Sequence, residues 1–168
     1  MNLQAVALDK VALLSYLLFL SATLPWWQFF GVLGANMLYQ LSYVSRAVTP
    51  LSYPELRTLV AQARAYNVAH DITGILFYGE GNFAQVLEGE QAAVERLFER
   101  IQHDARHYDV TVITRVARLQ RTYPQWGMAG HRLAEAQFAE LVKYLPEESN
   151  RQPLAARLEA FVVESERL

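Results

Sequence analysis

Apolar and polar positions along the chain fall into blocks of two alternating kinds, one with the period of a strand and one with the period of a helix. From Leu38 to Val44 the period is two, which predicts a strand with Tyr39, Leu41 and Tyr43 on one face and Gln40, Ser42 and Val44 on the other. Ser45 to Ser52 contains Pro50 and predicts a loop, and Ser52 followed by Glu55 is a capping-box signature for the next helix. On that helix Leu56, Leu59, Val60 and Ala63 form an apolar stripe, which reaches the amide Asn67 four residues later. Asp71 to Tyr78 predicts a buried strand, Gly79 to Asn82 a turn, and Phe83 to Glu88 the returning strand, with Phe83, Gln85 and Leu87 on one face. A second helix carries Val94, Leu97, Phe98 and Ile101. A fourth strand alternates through Val110, Val112, Thr114 and Val116, and a short fifth is expected around Trp126 to Met128.

The order β-α-β-β-α-β-β predicts an α+β, ferredoxin-like sheet with one strand added, both crossover helices lying on one face. The opposite face then needs cover. Leu133, Phe138, Leu141, Val142 and Leu145 predict one amphipathic tail helix, and Leu154, Leu158, Phe161 and Val162 a second. The expected organisation is an apolar extension over 1–36, a sheet domain over 37–130 and a helical cap over 131–168.

The first segment is ambiguous. No Asp, Glu, Lys, Arg or His occurs from Val11 to Ser45, and Val11 to Met37 is long and apolar enough to be a candidate membrane span. Pro25, several hydroxyl residues and the lack of a flanking basic cluster count against a span, and Asp9 beside Lys10 counts against a signal peptide. Met37 opens a strand and could itself be a natural start, so an upstream extension and a membrane segment both stay open. Membrane attachment is expected only if residues 11–37 are a genuine span.

Composition narrows the function classes. The chain has 168 residues, 52% of them hydrophobic, and 15 basic against 17 acidic residues give a formal net charge of -2. That balance provides no electrostatic footprint for nucleic acid or anionic lipid. The absence of cysteine excludes disulfides, thiolate metal sites and a Cys nucleophile, and suits a cytoplasmic protein. Four His without helical pairing give no persuasive metal site.

The candidate chemistry lies in polar residues at core positions. Tyr43 and Gln85 fall on buried strand faces, and Asn67 ends a buried helix face. Such groups cost free energy unless hydrogen-bonded. Each alone could be a satisfied core residue; three on one helix-covered face suit a shared flat heteroaromatic ligand between the helices. An acyl-phosphate hydrolase would need a Gly-rich loop after the first strand, where this chain has Ser45-Arg46-Ala47-Val48-Thr49. An RNA-binding module would need exposed sheet aromatics and a basic surface.

Five ordered motifs carry a resemblance. Leu41-Ser42-Tyr43-Val44-Ser45, Asn67 through Thr73-Gly74-Ile75-Leu76, Phe83-Ala84-Gln85-Val86-Leu87-Glu88-Gly89, Asp104-Ala105-Arg106-His107 and Trp126-Gly127-Met128 together resemble the BLUF family of flavin-binding blue-light sensors, over about Met37 to Gly130. The resemblance implies a noncovalent flavin, usually FAD, between the two helices. It assigns cofactor contacts to Tyr43, Ser45, Asn67, Gln85, Arg106 and His107. Asn67 would meet the ring's C4 carbonyl and N3 edge, Gln85 would bridge N5 and the Tyr43 hydroxyl, and Arg106 would face the phosphates. Arg100 is read as a solvated helix charge with a possible phosphate role, and Tyr66 as a possible ring contact.

By the same resemblance, light drives electron and proton transfer along Tyr43, Gln85 and flavin and then back. Gln85 is left rearranged by rotation or tautomerism, and the absorption is shifted slightly to the red. Trp126 and Met128, on one face of the fifth strand, are the expected signal relay. No substrate is consumed, so the expectation is a switch, not an enzyme, with output through an unidentified downstream protein or a change in homo-oligomeric state. A flavin sensor of redox state or temperature, and a small ferredoxin-like enzyme, remain the alternatives.

Overall fold

The computed structural model describes residues 37–125, 127–145, 158, 161–162 and 166–168. The apolar stretch at 11–36 therefore lies outside the described residues, as do Trp126 and Leu154. Among the described residues, no helix is long and apolar enough to cross a membrane.

The elements are β1 (Leu38–Ala47), α1 (Tyr53–Ala69), β2 (Thr73–Gly79), β3 (Asn82–Gly89), α2 (Gln91–Gln102), β4 (His107–Arg118), β5 (Ala129–Arg132), α3 (Glu135–Tyr144) and β6 (Glu166–Arg167). The sheet runs β4-β1-β3-β2-β5-β6. β3 is antiparallel to both β1 and β2, so β1-α1-β2 is a parallel crossover split by β3, as a ferredoxin-like sheet requires. β5 joins β2 in parallel, through Ile75 opposite Ala129.

Register places the core. Leu41 lies opposite Leu87 and Tyr43 opposite Gln85, so their side chains share a face. That face packs with Leu56 and Val60 of α1 and with Val94 and Phe98 of α2. The other face carries Ile75, Phe77, Ala84 and Val86 against Leu133, Phe138, Leu141, Leu145 and Leu158. The tail thus covers the face opposite the crossover helices, as the amphipathic pattern predicts, and β2 is buried along its whole length between two apolar layers.

Several boundaries differ from the sequence reading, each for a local reason. β1 does not stop at Val44: Arg46 pairs with Asn82 and Tyr108, and Ala47 with His107, so the ladder continues into the expected loop. β2 starts at Thr73 because Asp71 has φ +52° and the Ile72 amide turns back to the Asn67 carbonyl. The hairpin loop is only Glu80-Gly81, both with positive φ, the conformation that suits a two-residue turn between twisted strands. The capping box forms in part: the Glu55 carboxylate accepts from both the amide and the hydroxyl of Ser52.

The fifth strand is displaced from Trp126–Met128 to Ala129–Arg132. Pro124 has no N–H for a ladder. Gly127 passes so close to α1 that a Cβ there would lie 2.5 Å from a Val68 methyl, which keeps this stretch out of the ladder. β6 had no sequence signal. Its pairing, Arg132 with Glu166 and His131 with Arg167, comes from tertiary placement.

Candidate functional site

Between α1 and α2, above β1 and β3, lies a cleft of about 290 Å³. Leu59 and Ala63 of α1 face Leu97 and Ile101 of α2 as its apolar walls. This explains why half of each helix's stripe is only partly buried. The floor holds Tyr43, Leu76, Phe83 and Gln85, and Asn67, Arg100, Asp104, Arg106 and His107 are among the polar residues of the lining.

Tyr43 and Gln85 face each other across the β1–β3 ladder, and the Tyr43 hydroxyl donates a hydrogen bond to Gln85 Oε1. Phe98 lies against the phenol with ring centroids 5.3 Å apart. Burial, with a smaller contribution from the negative charge of Asp104, pushes the phenol's pKa well above its ordinary value, so the proton stays on the oxygen. Gln85 is only 6% exposed, and its Nε2 donates to Met128 Sδ at 3.5 Å. Both ends of the amide are engaged, one by a strong partner and one by a weak sulfur acceptor.

Asn67, 1% exposed, donates from Nδ2 to the Gly127 carbonyl at 2.8 Å. Arg64 Nε donates to the Met128 carbonyl at 2.9 Å, so α1 holds the approach to β5 at two points. His107 Nδ1 lies 3.0 Å from Ser45 Oγ, and burial lowers the imidazole's pKa, which keeps it neutral near pH 7. Arg106 grips Asp104 through Nε and Nη2, the latter at 2.5 Å, and holds that carboxyl down at about 2. A guanidinium has five N–H donors, and this pair occupies two of them.

Of the residues expected to form the site, Tyr43, Asn67, Gln85, Arg106 and His107 line one cleft. Ser45 is not part of that lining; it reaches the site through His107. Met128 touches Gln85, whereas Trp126 falls outside the described residues. Arg100 is exposed, in keeping with its reading as a solvated charge, and it also lines the cleft with its guanidinium 4.4 Å from the Tyr66 ring centroid. Tyr66 also lines the cleft and stacks on His70. Sequence reasoning missed Gln62 and Arg64, and named Asp104 within a motif without giving it a site role. The place of Asp104 two residues before Arg106 was the signal for its role, while Arg64 and Gln62 had no signal beyond helical spacing.

The lining fits a flavin. Apolar walls face each other across a slot that suits a flat ring, and amide groups on the floor and flank suit its carbonyl and nitrogen edge. Arg100 and Arg106 supply positive charge for phosphate.

A family model described as sensors of blue-light using FAD matches residues 38–129. The chain is 38% identical over 94 residues to the photoactivated adenylate cyclase subunit beta of Euglena gracilis, covering 55% of this chain and 11% of that protein. It spans only about a tenth of the length of the curated relatives it matches. Among solved structures, the photo-activated state of BlsA superposes with a TM-score of 0.59 at 28% identity, covering 78% of this chain and 98% of that one. Klebsiella pneumoniae BlrP1 with FMN and cyclic diGMP gives a TM-score of 0.56 at 32% identity, over 76% of this chain and 35% of that one. The matched residues are those that build the sheet, both crossover helices and the cleft, and the chain belongs to the BLUF family, the flavin-binding sensors of blue light.

Proposed function

We propose that Tyr43 and Gln85 are the switching pair of this blue-light sensor, within a sensor domain spanning 37–130 and capped by 131–168. The observation that carries this reading is the buried cross-strand hydrogen bond between them at the floor of the cleft. FAD is the proposed flavin, with FMN, named in the description of one BlrP1 structure, as the competing occupant. Leu59, Ala63, Leu97 and Ile101 would hold the ring, Asn67 and Gln85 its polar edge, and Arg100 and Arg106 the phosphates. When bound, flavin supplies absorption of blue light and reversible acceptance of an electron.

The chain's own part is proton and hydrogen-bond control. Tyr43 keeps its phenolic proton and directs it at Gln85 Oε1. Turning the Gln85 amide end for end would present Nε2 to the Tyr43 oxygen and Oε1 to the side now facing Met128. The flip exchanges the Tyr43 O–H bond to Oε1 for one from Nε2–H to the Tyr43 oxygen and gives up the weak N–H bond to sulfur, so the amide has two discrete hydrogen-bond patterns. Two discrete patterns make a two-state element that an input can bias. Asn67 and Arg64 fix the Gly127-Met128 backbone beside that amide, which gives the rearrangement a rigid reference.

Output is proposed to pass through Met128 and Trp126 into β5 and the tail, and then to a partner protein or a second copy of the chain. Cyclase activity belongs to the Euglena relatives, and for this chain a sensory, non-enzymatic role in the cytoplasm is proposed. Tyr43→Phe tests the pair: it should retain flavin and lose the light-induced red shift. A normal shift in that variant would remove Tyr43 from the switch. Mass analysis of the flavin released on denaturation separates FAD from FMN.

A further inference from the structure

Glu88 is a carboxylate with 1% exposure, three residues beyond Gln85 on β3 and on the opposite face of the sheet. It accepts from Gln40 Nε2 at 2.6 Å, from the Thr122 amide at 2.9 Å and from the Tyr123 amide at 3.0 Å. Gln40 stands directly across the ladder from Glu88 and donates also to Thr122 Oγ1, while its Oε1 accepts from the Arg118 guanidinium. Arg121 reinforces the same contact, donating to the Glu88 carbonyl, to Thr73 Oγ1 and to the carbonyl and carboxylate of Asp71.

A buried charge is costly to desolvate, and an apolar side chain of similar size would commonly be no less stable there. What the carboxylate provides that an apolar residue cannot is a fixed address for two backbone amides. Those amides begin the segment 122–128, whose far end places Met128 Sδ against Gln85 Nε2. The segment is thus tied to β3 twice, once on each face of the sheet.

We propose that Glu88 is a positioning residue for the Gln85 switch: by anchoring Thr122 and Tyr123 it sets where Met128 meets the Gln85 amide, and so how long the switched arrangement lasts. The inference rests on the reading of Gln85 as the switch. Loosening the anchor lets Met128 withdraw and lowers the barrier to turning the amide back.

The test is Glu88→Gln in the full chain with its flavin. This variant keeps the side chain's shape but turns a donor toward one of the amides. Amide hydrogen exchange over 119–128 should accelerate about tenfold in the dark, and dark recovery after blue light should become roughly fivefold faster. In a Met128→Ala background the change should bring no further acceleration, because both act on one contact. Unchanged exchange would remove the anchor. Faster exchange with unchanged recovery, or effects that multiply in the double variant, would separate the anchor from the switch and overturn the proposal. Should Glu88→Gln fail to fold, Arg121→Gln loosens the same segment and is read by the same two measurements. A parent protein with no light response would instead fail the switch reading itself, and exchange in the variant would still report whether the anchor exists.

Discussion

Single residues carry the switch, and their chemistry follows from where the backbone puts them. Gln85 is the only member of its trio with both ends bonded to movable side chains, the Tyr43 hydroxyl and the Met128 thioether. Gln85→Leu should keep the fold and the flavin but abolish the red shift, at a stability cost of about 1–3 kcal/mol for the hydroxyl left unpaired. A light-minus-dark spectrum with the parent's shift would refute the role. Asp104 offers a second test. Arg106 depresses its pKa from 3.8 to about 2, so its stabilisation is present above pH 3.8 and is lost as the pH falls through about 2. Both side chains keep considerable contact with water, which makes the contribution small. Asp104→Asn should flatten the stability profile in that acid window and leave neutral pH nearly unchanged, as thermal melts across pH would reveal. Tyr43, Asn67 and Gln85 were legible in the sequence because strand and helix periods alone bring them to one face. Arg64, Arg121 and Glu88 were not given roles, since their partners lie more than thirty residues away and no local pattern encodes such pairs.

Elements hold the pair in register. The β2–β3 ladder is tight at Gly74, where a Cβ would sit 2.1 Å from the Val86 carbonyl oxygen. Gly74→Ala must therefore push two backbones apart directly behind the Gln85 strand. We expect a loss of about 2–3 kcal/mol in urea denaturation, and a variant as stable as the parent would mean that the ladder is looser than described. The same element scale shows where sequence patterns stop being informative. β1 and β4 outrun their alternation because they pair with each other past the apolar stretch. β5 moved beyond Met128 because Pro124 and the close pass of Gly127 keep the preceding stretch out of the sheet. β6, two residues long, has no pattern to read.

At the scale of the whole molecule, one sheet separates two layers with different work. The crossover helices enclose the cleft on one face, and α3 with Leu158, Phe161 and Val162 covers the other. This division was legible early, since a ferredoxin-like order leaves one face bare and the tail pattern is amphipathic. The route by which a change at Gln85 would reach the tail was not legible, because it depends on contacts at the Met128 sulfur and the Glu88 carboxylate that only the folded chain creates. The most direct measurement is the absorption spectrum of the purified protein before, during and after blue illumination. The account predicts a yellow protein whose flavin bands move slightly to longer wavelength in the light and return in darkness. A protein that binds flavin but keeps an unchanged spectrum under blue light would contradict it.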